Sequence, residues 1–364
     1  MSKNKLLIIG KFYDPVKGGI ENITSFQENI YSKFNDIHFI FYSKKKSNSK
    51  KYFFFNYLNI FSQPISVTLF LWIFKNINKY EFIEIHTPNP LVMLYVWIAN
   101  YKNKVKVIVH YHSDIVNQKV LNFFIKEIVN ISLFKAYMII STSKKYVNNS
   151  KFLKNYTHKI KIIPPVIDEK RFFNSNLTIN SITHNTKLLS IGRFVKYKGF
   201  ENLIKSFTYL PNNYYLTLIG NGPLNKKYNY LINLYNLNER IEILNNVDDY
   251  LLGEKIKNCN MFVLPSINKS EAFGVVLLEA LFFGRPLLTS NLSDSGVTEV
   301  NEENITGLYF DQSSPKDISK KIILLEKLIK SGNFNYKKIR KYYDLNYSKE
   351  ITKTKYFSLY NIYI

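Results

Sequence analysis

Short apolar runs recur along the whole chain, each closed by glycine, proline or a cluster of polar residues. In the first half they cover 6–10, 37–42, 82–86, 104–109, 137–141 and 160–168. In the second half they cover 187–193, 215–219, 241–244, 261–264, 287–290 and 307–310. Runs this short, rich in Ile, Val, Leu and Phe, read as buried strands. Between them lie longer stretches with helical spacing, among them 91–99, 200–207, 248–257 and 275–282, and basic helices follow residue 310. Strand–helix alternation on both sides of Pro164-Pro165 predicts an α/β protein of two doubly wound domains. The Pro-Pro stop, with a polar stretch over 174–185 behind it, sets the expected boundary: 1–168, then 169–345, with 346–364 a terminal helix packing back on the first domain.

One segment fits the alternation poorly. Residues 52–74 are dense in aromatic and aliphatic side chains, with Lys75 and Lys79 just beyond. They read either as a core helix or as a partly exposed apolar face that rests on lipid, flanked by lysines that favour anionic headgroups.

At 364 residues with 46% hydrophobic content, the chain can bury two cores of ordinary size. Its single cysteine, Cys259, excludes an internal disulfide and a cysteine-rich zinc site, and fits a reducing compartment. The run at 6–10 is too short for the core of a secretory signal. The most membrane-like run, 65–74, is half of the ~20 residues a spanning helix needs. A soluble or peripheral protein is expected.

The net charge of +23 is uneven, with 25 Lys and Arg against 10 Asp and Glu in residues 1–170. A basic front half suits nucleic acid, an anionic membrane or a phosphorylated substrate. Abundant Lys, Asn, Ile, Tyr and Phe also fit an AT-rich coding sequence, which raises lysine without a functional reason. Against nucleic acid stand the absence of a zinc finger, RNP motif or Arg-rich helix and the dispersal of the lysines.

The chemistry concentrates at predicted strand ends. Glu271 falls in the loop after the strand at 261–264, and Glu279 lies two turns into the following apolar helix, where a lone carboxylate is costly unless paired. Arg193 and Lys198 share one strand-to-helix loop, so that two cations face the edge where open α/β sheets bind ligands. A guanidinium grips phosphate oxygens in a bidentate way and a lysine adds a point charge, which makes a diphosphate the natural counterpart. In the first half, Gly18-Gly19, His86 and His112-Ser113-Asp114 end three strands and converge on one edge if the sheet is parallel. His110 and His112 would point to the same face, a spacing open to metal, but no third ligand is evident in the sequence. No metal site is expected.

Gly192-Arg193 with Lys198-Gly199, and Glu271-Ala272-Phe273-Gly274 with Glu279, resemble in order and spacing the donor-site signatures of the family 4 retaining glycosyltransferases. The resemblance runs from Gly18-Gly19 through Gly307. The stretch Tyr111-His112-Ser113-Asp114-Ile115-Val116-Asn117-Gln118-Lys119 resembles bacterial mannosyltransferases of polysaccharide and O-antigen synthesis. Pro164-Pro165-Val166 departs from the pattern, since relatives carry Asn or Gly after the first proline.

The resemblance implies the GT-B fold, two Rossmann-like domains facing across a cleft, whose closure brings His112 to the donor and excludes water. It implies catalytic roles for His112, Glu271, Arg193 and Lys198. It further implies donor binding by Gly18, Gly19, Arg193, Lys198, Phe273, Gly274, Val275 and Glu279. Within that set Arg193 and Lys198 hold the diphosphate, Glu279 the ribose hydroxyls, and Glu271 and His112 the transferred sugar.

The implied donor is a nucleoside diphosphate sugar, GDP-mannose foremost, with a UDP-sugar as the alternative. The implied acceptor is a lipid-linked saccharide at an anionic membrane surface, placing the protein in the cytoplasm at the inner face of the cytoplasmic membrane. No cofactor is expected, and no Asp-x-Asp occurs in the chain, which fits departure of the diphosphate without a metal.

Overall fold

The structure, a computed structural model, describes residues 4–13, 19–44, 50–60, 63–102, 104–114, 122–172 and 184–360. Contacts divide the chain into two compact units, Met1–Pro165 with Lys355–Ile364, and Val166–Thr354. These divisions fall after Pro165 and Thr354, against the ends read from sequence at 168 and 345. Tyr356, Phe357 and Tyr360, in and just after the helix Lys349–Leu359, are buried in the core of the first unit with Leu6, Ile8 and Tyr31.

The first unit is a seven-stranded parallel sheet. In spatial order its strands are Tyr52–Phe55, Ile37–Tyr42, Asn4–Phe12, Tyr80–Thr87, Lys106–Tyr111, Met138–Ser141 and Ile160–Ile162. Leu6 to Ile9 are each 0% exposed, which is why that run shows no alternation: helices cover both faces of the strand. The chain leaves Asn4–Phe12 toward one edge, then returns on its other side at Tyr80–Thr87. Between those two strands the order reverses, and their carboxyl ends mark the place where such sheets receive ligands.

Residues 52–74 are not one helix. They form the strand Tyr52–Phe55, an antiparallel pair of strands Leu58–Ile60 and Gln63–Ile65, and only then the helix Val67–Asn76, capped by Ser66, whose Oγ accepts from the Leu69 N–H at 3.3 Å. The interruptions at Asn56, Asn59 and Ser62-Gln63-Pro64 divide the segment, and a proline at 64 is incompatible with one helix running through it, which composition alone does not register.

The second unit is a six-stranded parallel sheet in the order Ile241–Leu244, Tyr214–Ile219, Thr186–Ile191, Met261–Leu264, Leu287–Ser290 and Gly307–Phe310. Its order reverses between Thr186–Ile191 and Met261–Leu264. The helix Val275–Phe282 covers the sheet with Leu277, Leu278, Ala280 and Leu281 buried. Cys259 is buried here, and burial pushes its thiol up to about 12, so it is a packing residue. Among the described residues no helix is long and apolar enough to cross a membrane.

Candidate active site

At the reversal point of the second sheet, two adjacent strands release two loops that pack on one another. The first runs from Gly192 through the short helical turn Lys196–Lys198 and ends at Gly199, whose φ is 70°. A Cβ at Gly199 would lie 1.9 Å from the Pro265 carbonyl oxygen, so only glycine lets this loop close on the second one. The Ile267 N–H donates to the Tyr197 carbonyl at 2.8 Å and ties the loops together. At Gly192 a Cβ would press on the stem of Lys198 at 3.3 Å, so that glycine leaves the lysine its path.

That packing brings Lys198 and Glu271 together. Both are buried, and Lys198 Nζ donates to Glu271 Oε2 at 2.5 Å. Ser266 Oγ donates to the same oxygen at 2.8 Å, and Ser295 Oγ donates to the Glu271 backbone carbonyl. A carboxylate out of water is tolerated when paired and hydrogen-bonded in this way. Arg193, one residue beyond the loop's start, is exposed; its carbonyl accepts from the Val195 N–H at 2.8 Å, while its side chain has neither an ion pair nor a hydrogen bond among the described residues. Phe273 is buried, its ring edge-on to Tyr347 at 6.2 Å. Gly274 and Val275 open the helix Val275–Phe282 with no side-chain cap; the Leu277 N–H turns to the Gly274 carbonyl at 2.8 Å, which leaves the Val275 and Val276 N–H groups available among the described residues.

Glu279 forms a second group. Its Oε1 is 3.5 Å from Arg171 Nη1, while Arg171 Nη2 is 2.5 Å from Asp249 Oδ1. Burial pushes the Glu279 carboxyl up to about 7; Arg171 draws it down and Asp249 pushes it further up.

In the first unit, Gly18 and residues 115–119 lie outside the described residues, and Gly19 opens the helix Gly19–Ile30. His112 follows the strand Lys106–Tyr111, and its loop is pinned by Asp114, which accepts from Tyr111 and Ser150 hydroxyls at 2.9 Å each. His110 and His112 do share a face, with ring centroids 4.3 Å apart. The third imidazole is His86, which the sequence showed only as a strand end; its Nδ1 is 3.0 Å from His112 Nε2. Ligand-capable atoms of all three rings lie within 4.8 Å of one another.

Glu84, fully buried beneath them, receives His110 Nδ1 at 2.8 Å, Gln27 Nε2 at 2.7 Å and the Tyr360 hydroxyl. Burial alone would raise Glu84, but hydrogen bonds from His110 and His86 outweigh it and hold the carboxyl well below its usual range. Burial brings His110 down to about 4, and burial with the two neighbouring imidazoles holds His112 well below the ordinary histidine value. Glu84 is therefore ionised, and His110 and His112 are neutral.

Residues 178–341 match the family model of the glycosyl transferases group 1. The chain is 29% identical over 243 residues to the O-antigen chain mannosyltransferase C of Escherichia coli, an alignment covering 64% of this chain and 62% of that one. It is 26% identical over 264 residues to the D-rhamnosyltransferase WbpZ of Pseudomonas aeruginosa, covering 71% and 67%. The whole chain superposes on HepE from Anabaena, solved in complex with UDP, with a TM-score of 0.77 at 14% identity, covering 98% and 99% of the two chains. The last likeness establishes the GT-B fold.

Within the second unit, the glutamate spacing and the Gly-Arg loop were readable in sequence, but most of their partners were not. Ser266 reaches Glu271 from five residues upstream in the same loop, Ser295 reaches it from the loop after the next strand, and Arg171 reaches Glu279 from a short turn 108 positions upstream. Arg171 follows the Pro-Pro-Val-Ile-Asp stop closely, and that is the one signal that could have singled it out. His86 was visible as a strand end, but its neighbour across the sheet depends on register: His86 pairs with His110.

Proposed function

We propose that this protein is a retaining, metal-independent glycosyltransferase of family 4. It moves a hexose, mannose from GDP-mannose, onto a lipid-linked glycan intermediate of cell-surface polysaccharide synthesis. The buried Lys198–Glu271 pair beside Arg193, whose side chain is unpaired among the described residues, at the reversal point of the second sheet, is the observation that carries this reading. In the transfer, the bond between the sugar anomeric carbon and the diphosphate oxygen breaks while a bond to the acceptor oxygen forms on the same face. The departing phosphate oxygen takes the acceptor's proton, so no separate protein base is required. Arg193, Lys198 and the free N–H groups at Val275 stabilise the charge that develops on the diphosphate. Glu279 receives the ribose hydroxyls, Glu271 and His112 those of the sugar, and Gly19 approaches the phosphates with Gly18.

Mannose is supported by the name of the E. coli relative. The UDP complex of HepE favours the second reading, a UDP-sugar donor for the same reaction.

Work at the inner face of the cytoplasmic membrane is supported by one surface of the first unit. There the helices Val67–Asn76 and Pro90–Ala99, neither of which contains an acidic residue, leave Leu71, Phe74, Trp97 and Ile98 between 37% and 54% exposed. Tyr101 extends the patch at 63%, and Lys102 and Lys135 lie over the Tyr101 and Trp97 rings at 5.4 and 5.3 Å. Apolar side chains ringed by lysines fit acyl chains beneath anionic headgroups.

Thermal unfolding with GDP, UDP or neither tests the donor. A nucleotide at ~100 times its dissociation constant adds about 2.7 kcal/mol to stability. A shift with GDP alone supports mannose, one with UDP alone moves the assignment to a UDP-sugar, and none at millimolar nucleotide overturns the donor site.

A further inference from the structure

The orientation of each ring in the histidine cluster follows from the one group that can only accept. Glu84 is ionised, so the Gln27 amide must turn its nitrogen to Glu84 Oε1, which leaves Gln27 Oε1 facing His86 Nε2 at 2.9 Å. The other neighbour of His86 Nε2 is Glu84 Oε1 at 3.1 Å, also an acceptor. In neutral His86 the proton therefore sits on Nε2, and Nδ1 presents a lone pair. The atom 3.0 Å from that lone pair is His112 Nε2, which must be the donor. His112 is then left with an unprotonated Nδ1.

We infer that His86 is a positioning residue: by accepting from His112 Nε2 it fixes the tautomer in which His112 Nδ1 accepts a hydroxyl of the transferred sugar. The inference rests on the reading that His112 faces the donor sugar, and it gives that residue a single role, that of an acceptor. Gln27 and Glu84 set His86 in turn. Tyr360, just past the helix Lys349–Leu359, donates to Glu84 Oε2, so a residue from the end of the chain braces the carboxylate that starts the series. His110 is anchored to the same carboxylate through Nδ1, and its Nε2 is buried with no hydrogen-bond partner among the described residues.

Nitrogen-15 NMR of the imidazole rings in the full-length protein reads the tautomer directly, with the His112 signals assigned by their loss in His112→Asn. The expected spectrum has the His112 proton on Nε2; a proton on Nδ1 overturns the inference. Activity with a nucleotide sugar gives the second readout. His86→Asn keeps an acceptor close to the Nδ1 position and should retain transfer, whereas His86→Leu should lose on the order of tenfold or more in kcat, as a misdirected tautomer does elsewhere. Equal loss in both variants overturns the positioning role. Stoichiometric zinc on the three rings of the purified protein would replace the hydrogen bond and also overturn it. Unchanged transfer by His112→Ala with the expected tautomer present would instead strike at the reading of His112 itself, and so separates the two failures.

Discussion

Lys198 Nζ lies 2.5 Å from Glu271 Oε2, with the two side chains only 11% and 10% exposed. A pair so placed is weak evidence for stability, because desolvation offsets most of the attraction, yet removing one member strands the other. Lys198→Met or Glu271→Leu alone should therefore cost about 3–5 kcal/mol. The double variant should recover most of that stability and remain inactive. Denaturant unfolding and a transfer assay separate the two effects; an active double variant would remove the pair from the chemistry.

Among the described residues the Arg193 side chain has no partner to strand. Arg193→Ala should leave the unfolding midpoint within the range of ordinary surface changes, about 0.5 kcal/mol, while lowering turnover by roughly 100-fold or more. Wild-type turnover in this variant would sink its assignment to the diphosphate.

Burial raises Glu279 to about 7 from an ordinary value of 4.5. Between those two values the folded state holds a proton that the unfolded state has released, so stability should fall as pH rises through that window. Glu279→Gln should flatten this dependence. Ribose hydroxyls donating to the carboxylate favour its ionised form, so nucleotide binding near pH 7 should release protons. Calorimetry in two buffers of different ionisation enthalpy measures that release, and proton uptake would contradict the ribose role.

The patch formed by Phe74, Trp97 and Tyr101 predicts binding to vesicles containing anionic lipid, weakened by salt. Phe74→Ser with Trp97→Ser should reduce co-sedimentation several-fold without changing nucleotide affinity. Equal sedimentation of wild type and variant would place membrane contact elsewhere.

Chelator treatment should leave transfer unchanged if the two cations and the loop N–H groups suffice for the leaving diphosphate. Loss of activity in EDTA, restored by a divalent ion, would contradict metal independence.

Local chemistry was written plainly along the chain. Buried parallel strands need unbroken apolar runs, so 261–264 and 287–290 were readable to the residue. Glycines and charged residues at fixed offsets are local features, so Gly192-Arg193, Lys198-Gly199, Glu271 and Glu279 stood out in the sequence alone. Over 52–74 the density of apolar side chains points to one helix, whereas Asn56, Asn59 and Pro64 are the local breaks that mark three short strands before the helix begins. Strand order and register were decided only in three dimensions. They set His86 against His112 across 26 positions, Lys198 against Glu271 across 73, and Arg171 against Glu279 across 108. The physical reason is range: propensity and periodicity act over a few residues, whereas a buried charge is satisfied by whichever partner the packing of distant loops brings within 3 Å or so.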